Sequence, residues 1–253
     1  MSLLTLSFTL AFVAIAIILS TWLKIGVERD IIIATVRSTI QLLIVGYILK
    51  IVFGLNNPLF IVLMIILMIA VATQNASKRG NGIVGVTWRI LIAITIAEVI
   101  AQSLLVGLHI IPAKAQYLIP ISGMIIGNAM IVSGLLLNRL QSEAASHRQE
   151  IITLLALGGT PKQSMMPFVK QAIRASLIPT IDSTKTMGLV QLPGMMTGQI
   201  IAGADPIIAV RFQLVVLFSF MASAMIASIT LGFLTYPSLF NQYQQLILPV
   251  SSK

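Results

Sequence analysis

Residues 117–137 have the sequence YLIPISGMIIGNAMIVSGLLL, a run of 21 residues without one charged side chain. A helix of that length rises about 30 Å, which is the thickness of the hydrocarbon core of a bilayer. Six further apolar runs occupy residues 3–23, 31–53, 58–72, 88–108, 187–204 and 207–235. The pattern predicts an all-α integral membrane protein, a polytopic helical bundle of about seven transmembrane helices.

The composition leaves little room for anything else. Of 253 residues, 57% are hydrophobic and 9% are charged, whereas a soluble domain has about 25% charged residues. We therefore expect one transmembrane domain over residues 1–253. The chain has no cysteine and two histidines, His109 and His147, which excludes disulfides, cysteine nucleophiles and a metal cage built from histidines.

The positions of the 16 basic residues predict the orientation. With the N-terminus outside and the C-terminus inside, the outer segments hold only Lys50, Lys114 and Arg211, and Arg37 lies within the second span. The other twelve are then on the cytoplasmic side, as the positive-inside rule requires. The net charge of +9 is explained by the lipid bilayer as the partner and does not call for a nucleic acid.

The one substantial polar segment covers residues 138–186, between the fifth and sixth predicted spans. Residues 142–157 are expected to form one helix, and Gly158 and Gly159 can end it in a left-handed conformation. Thr160, Pro161 and Gln163 are typical of the N-cap, the first helical position and the reciprocal capping partner of a second helix. We expect a helix-turn-helix corner on the cytoplasmic side.

Two interpretations of this helix pair remain open at this point. It can be a connector on the membrane surface whose basic face contacts anionic lipid. It can also be a rigid coupling element that a cytosolic ATPase grips in order to move the attached spans. Helical periodicity does not separate the two.

Five stretches resemble the FetB family of ABC-transporter permeases: residues 37–50 (RSTIQLLIVGYILK), 119–130 (IPISGMIIGNAM), 155–163 (LALGGTPKQ), 173–196 (IRASLIPTIDSTKTMGLVQLPGMM) and 203–206 (GADP). The resemblance implies a permease in the plasma membrane that works as a homodimer and exports iron or another metal cation. Plant relatives are linked to aluminium tolerance. The chain has no P-loop, so we expect no enzyme activity and no cofactor in it; ATP and Mg would bind to a separate cytosolic ABC ATPase.

The ATPase contact is predicted by analogy with the EAA loop of ABC importers, although the EAA letters are not in register here. The expected contact residues surround the corner between the two helices. They are Glu150, Gly158, Gly159, Thr160, Pro161, Lys162 and Gln163.

Polar groups inside the predicted spans suggest a substrate pathway because such groups are costly in lipid. Glu98, Gln102, Asn128, Met195 and Met196 lie at similar predicted depth, and oxygen ligands suit a metal cation, with Glu98 as its principal ligand. The alternative is structural: Glu98 pairs with Arg37 or is protonated, Asn128 bonds a neighbouring helix, and the methionines only pack. A secondary transporter with Glu98 as proton carrier is the alternative function.

Small residues predict close helix packing, and one proline predicts a hinge. Gly123 and Gly127 share a face of the fifth span, and Gly194 and Gly198 repeat the four-residue spacing in the sixth. Pro193 is expected to kink the sixth span beside them. Asp182 and Lys185, at the inner mouth of that span, either form an ion pair that positions the coupling loop or are separate charges at the membrane interface.

Overall fold

The computed structural model describes residues 8–55, 57–80 and 82–247, and all regular structure within these ranges is helical. The chain forms two compact units, residues 1–57 and 58–253. The first unit contains helices α1 (Leu10–Trp22) and α2 (Glu28–Leu55). A tight turn joins them, in which the Ser20 hydroxyl donates to the Glu28 carboxylate at 2.7 Å.

The second unit is a helical bundle built from seven helices in the part of the chain that the structure describes. They are α3 (Pro58–Ser77), α4 (Val86–Gly107), α5 (Ala115–Ser146), α6 (Arg148–Ala156), α7 (Pro161–Thr186), α8 (Gly194–Ile201) and α9 (Pro206–Thr235). The core has an alanine-rich and leucine-rich interior that includes Ala93, Ala97, Ala129, Leu136 and Leu231. Small residues at these positions let the helices approach closely.

Five helices of the described residues are long and apolar enough to cross a membrane. They cover Glu28–Gly54, Pro58–Gly80, Val86–Gly107, Ala115–Ser146 and Pro206–Leu239. Helix α1 has 13 residues, and the predicted first run, 3–23, begins outside the described residues. The all-α membrane prediction is therefore confirmed.

The predicted span at residues 187–204 is wrong as a single helix. A turn with Gly188 at φ 91° precedes α8, which has only 8 residues and so rises about 12 Å. Pro193 is the N-cap of α8, so it begins a helix and does not kink one. Hydropathy selected this stretch because it is apolar, although its glycines and proline favour turns.

Helix α7 takes the place in the bundle that was expected for that span. It has 26 residues, about 39 Å of helix, and packs along both α5 and α9. Phe168 lies in the same buried cluster as Leu239, and Leu177 packs with Val132 and Ala224. The prediction that residues 138–186 all lie outside the bundle is therefore wrong. Leu177 of α7 contacts two long apolar helices, α5 and α9.

The other boundary that differs is the end of the fifth predicted span. Helix α5 continues nine residues past Leu137 to Ser146, and α6 begins at Arg148. The prediction of one helix over residues 142–157 is therefore wrong, because the chain breaks at His147. Apolar character ends at Leu137, whereas the helix is continued by favourable contacts of its polar last turns.

Candidate functional site

The corner between α6 and α7 has the predicted geometry. Thr160 is the N-cap, its hydroxyl accepts from the backbone N–H of Gln163 at 3.3 Å, and the Gln163 side chain accepts from the backbone N–H of Thr160 at 2.9 Å. Pro161 occupies the first helical turn, and Gly158 is left-handed at φ 88°. A Cβ atom on Gly159 would lie 2.8 Å from the Leu154 carbonyl oxygen. The corner is thus fixed by local chemistry, with no room for a side chain at Gly159.

An ion-pair network that the sequence did not predict fixes the approach to the corner. Glu143, which is 4% exposed, accepts from Arg139 at 2.7 Å and lies 3.4 Å from the Nε2 atom of His147. The Nδ1 atom of His147 lies 3.3 Å from Glu150, and its ring stacks on Phe168 with centroids 4.6 Å apart. These contacts join the end of α5 to both α6 and α7.

A cleft of about 620 Å³ opens beside the corner. Arg148, Ile152, Leu155 and Gly159 form one wall, and residues 243–246 form the other. Leu157, at the end of α6, is 80% exposed. An exposed apolar side chain beside a cleft is typical of a surface that a protein partner buries.

Glu98 lies in the interior of the second unit. It is 2% exposed, and neither carboxylate oxygen has a hydrogen-bond partner among the residues that the structure describes. The side chains of Gln102 and Ser122 lie near enough to interact with the carboxylate, but outside hydrogen-bond geometry. Gln102 donates to the Ser122 hydroxyl at 2.7 Å, and its own side-chain oxygen has no partner among the described residues. Three oxygen atoms therefore face the interior with unmet hydrogen-bonding capacity, which is costly unless a ligand or proton meets it.

The other predicted pathway residues lie elsewhere. Asn128 donates to the Phe220 carbonyl of α9 at 3.1 Å and accepts from Thr180 of α7 at 3.4 Å, which matches the structural alternative of a bond between helices. Met195 packs against the apolar cluster around Ile121 and Ile125. Met196 lines a separate pocket with Gln213. The structure therefore places Gln102 beside Glu98 and gives Asn128, Met195 and Met196 contacts of their own. That all five line one route stays a prediction.

The glycine predictions divide in the same way. A Cβ on Gly123 would meet Met68 of α3 at 3.8 Å, so this glycine does lie at a helix contact. No described atom of this chain lies within 4 Å of the Cβ position on Gly127, Gly194 or Gly198, so close packing at these three stays a prediction. Helix α7 also contacts α9 closely at Gly232, whose Cβ would lie 3.2 Å from Ile173.

Asp182 and Lys185 form the predicted ion pair at 3.1 Å, but the pair lies at the opposite end of the helix from the corner. Because α7 begins at Pro161, these residues follow Thr180 and lie beyond its contact with Asn128. No group of three His, Asp or Glu residues that could hold a metal ion occurs in the described ranges. Any metal bound near Glu98 would rely on amide and hydroxyl oxygens for its other ligands.

The similarity to known proteins extends over almost the whole chain. No solved structure matches it. It is 55% identical over 246 residues to "UPF0014 membrane protein YjkA" of Bacillus subtilis, covering 97% of this chain and 98% of that one. It is 40% identical to "Probable iron export permease protein FetB" of Escherichia coli (96% and 94% covered) and 37% identical to "Protein ALUMINUM SENSITIVE 3" of Arabidopsis thaliana (94% and 87% covered). Residues 3–240 match the uncharacterised protein family UPF0014, and the chain belongs to this family of membrane proteins, the FetB-type permeases.

Proposed function

We propose that this chain is the membrane subunit of an ABC transporter that exports iron, or another metal cation, from the cytoplasm. The printed name of the Escherichia coli relative supports both the cargo and the direction of transport. The sequence contains no P-loop, so a separate ATPase would bind ATP and Mg and drive the cycle. Two copies of the chain would work with two copies of the ATPase.

The observation that carries this proposal is the direct connection between the corner and α7. The corner is fixed by its capping box and by the stack of His147 on Phe168. From there α7 continues against α5 and α9 as far as Leu177. A force applied at the corner is transferred to two long apolar helices through close side-chain contacts, as a coupling element requires.

The arrangement of α7 also supports a revised topology. With α7 and the segment that follows it together as the sixth crossing, in place of a helix over residues 187–204, seven crossings remain, and the N-terminus lies outside and the C-terminus inside. The corner and the basic residues Arg139, Arg148 and Lys162 then lie on the cytoplasmic side, in agreement with the positive-inside rule. The cytoplasmic coupling segment is reduced from residues 138–186 to the end of α5, α6 and the first turns of α7.

Within the bundle, Glu98 is the proposed contact for the cation. Its two unpartnered oxygens and the free oxygen of Gln102 are hard ligands of the type that iron accepts. The enclosure of this group fits transient binding during the cycle better than a permanently open channel, because Glu98 is almost fully buried.

Co-purification with the ATPase tests the proposal. We expect Leu157→Glu to abolish capture of the ATPase by the tagged permease, because it places a charge on the exposed apolar residue of the corner. Val84→Glu is the matched control, since Leu157 and Val84 are each 80% exposed, and Val84 lies in the loop before α4. Loss of capture with Val84→Glu but not with Leu157→Glu would place the ATPase contact on the other loop and refute the corner.

A further inference from the structure

The second half of α7 presents charged residues on a face that no described residue of the second unit covers. Ile178, Ile181, Asp182 and Lys185 follow the spacing of one helix face. Ile178 is 49% exposed, and the side chains of Asp182 and Lys185 are 60% and 68% exposed. We call these four residues the α7 face.

The register of α7 against α5 gives the depth of this face. The two helices are antiparallel, because Leu177 packs with Val132 and Thr180 bonds to Asn128. Asp182, two residues beyond Thr180, therefore lies level with Ile126. Ile126 is about halfway along α5 between Lys114 and Arg139, so roughly 18 Å of helix separates it from either basic residue.

A charged pair at this depth does not face lipid. Charged side chains at the centre of a bilayer face the bundle interior or a water-filled cavity, and aspartate is too short to reach the interface. The exposed face of α4 at the same depth differs from the α7 face, because it is entirely apolar: its residues are Ile92, Ile96, Val99 and Ile100. The face of α4 is suited to lipid and the α7 face to water.

We infer that the α7 face lines the water-filled transport route, and that Asp182 is the carboxylate that the metal cation meets there. In the structure Lys185 donates to this carboxylate at 3.1 Å and neutralises it. A divalent cation would displace the ammonium group of Lys185, since both bind the same oxygen atoms. This inference rests on the proposed function and extends it from Glu98 to a second, water-exposed carboxylate at the same depth.

Cysteine accessibility tests the lining of the route, because the chain has no cysteine of its own. Ile181→Cys and Ile96→Cys form a matched pair: the two isoleucines are 36% and 38% exposed. Both lie level with Asn128. For Ile96 this follows because Gln102 of α4 bonds to Ser122 of α5, and Ile96 and Asn128 are each six residues from that bond on antiparallel helices. In membranes, a charged, membrane-impermeant methanethiosulfonate should modify Ile181→Cys at least about tenfold faster than Ile96→Cys, because the reactive thiolate forms in water.

Equal rates for the two variants would overturn the inference, and would mean that lipid or another part of the protein covers the α7 face. Modification of both variants after unfolding in detergent checks that the reagent is active. Failure of the unsubstituted permease to capture the ATPase would refute the proposed function without changing these rates, so the two failures are distinguishable.

Protection by Fe²⁺ under anoxic conditions tests the role of Asp182. Fe²⁺ alone should slow modification of Ile181→Cys, and adding Asp182→Asn should remove the protection. Adding Lys185→Gln should lower the protective Fe²⁺ concentration severalfold, because the competing ammonium group is gone. Protection that persists with Asp182→Asn, or that is absent throughout, would remove Asp182 from the cation's route.

Discussion

The two buried glutamates of the second unit should respond to the same substitution with opposite sign. Glu98 is 2% exposed and has no hydrogen-bond partner in the described residues, whereas Glu143 is 4% exposed and is bonded to Arg139 at 2.7 Å. Methionine has a similar volume and no strongly polar atom. An unsatisfied buried polar group costs about 1–3 kcal/mol, so Glu98→Met should raise the free energy of unfolding by about that amount.

Glu143→Met should instead lower the free energy of unfolding, because the substitution leaves Arg139 and His147 without their partner. Removing one partner of a buried ion pair costs about 3–5 kcal/mol; Arg139 is 47% exposed, so solvent reduces the cost here to about 1–2 kcal/mol. The sign of the difference between the variants is therefore the prediction.

Thermal unfolding of the purified protein in detergent measures both variants. One kcal/mol shifts Tm by about 2–4 °C in a domain of this size, so Glu98→Met should melt at least about 2 °C above the wild type and Glu143→Met below it. A lower Tm for Glu98→Met would refute the reasoning, since it would show that a partner holds the carboxylate in the folded protein. A higher Tm for both would show that the Glu143 network does not stabilise the fold.

Three further predictions concern function and packing. Glu98→Gln should leave assembly intact and abolish stimulation of the ATPase by metal in vesicles; unchanged stimulation would remove Glu98 from the pathway. Thr160→Ala removes a helix cap worth about 1 kcal/mol and should reduce the metal transported per ATP hydrolysed, and an unaltered ratio would show that the cap does not contribute to coupling. Gly232→Leu forces a side chain against Ile173, whose nearest atom lies 3.2 Å from the Cβ position, and should lower Tm by several degrees. Gly127→Leu, at a position with no described atom of this chain within 4 Å of the Cβ, is the matched control and should not lower Tm.

The corner could be predicted residue by residue because its chemistry is local. Whether Thr160 caps a helix depends on a side chain three residues away, and a left-handed Gly158 depends on its own backbone. The same holds for the five long apolar helices, since hydropathy over 20 residues reports directly on transfer into lipid. The ends of these helices could not be predicted as well. Helix α5 continues past Leu137 because of contacts such as the Arg139–Glu143 ion pair, which the hydrophobic periodicity does not show.

Residues 187–204 were predicted as one helix, and α7 was not predicted to enter the bundle, for a physical reason. A hydropathy window assumes that every face of a helix contacts apolar surroundings, so it favours residues 187–204 over a helix that carries Lys170, Arg174, Asp182 and Lys185. Helix α7 meets that requirement on one side only, where Phe168, Val169, Ala172 and Leu177 are buried. The bonds of Asn128 to Phe220 and Thr180 could not be predicted either, since equal depth does not determine which way each side chain points.

The distribution of contacts along α7 indicates how a push at the corner could open a route. From Met165 to Leu177 the helix has a buried residue on every turn, whereas no residue after Leu177 is buried. Pro179 lies at this boundary and, having no N–H, removes the backbone hydrogen bond to Ala175. The lower part of α7 is thus bound to α5 and α9 and moves with them, while the part carrying Asp182 and Lys185 is joined to it through a weakened turn. A displacement of the corner would therefore change the angle between the two parts at Pro179, which moves the charged pair and acts on the Thr180–Asn128 bond, while the buried contacts up to Leu177 are kept.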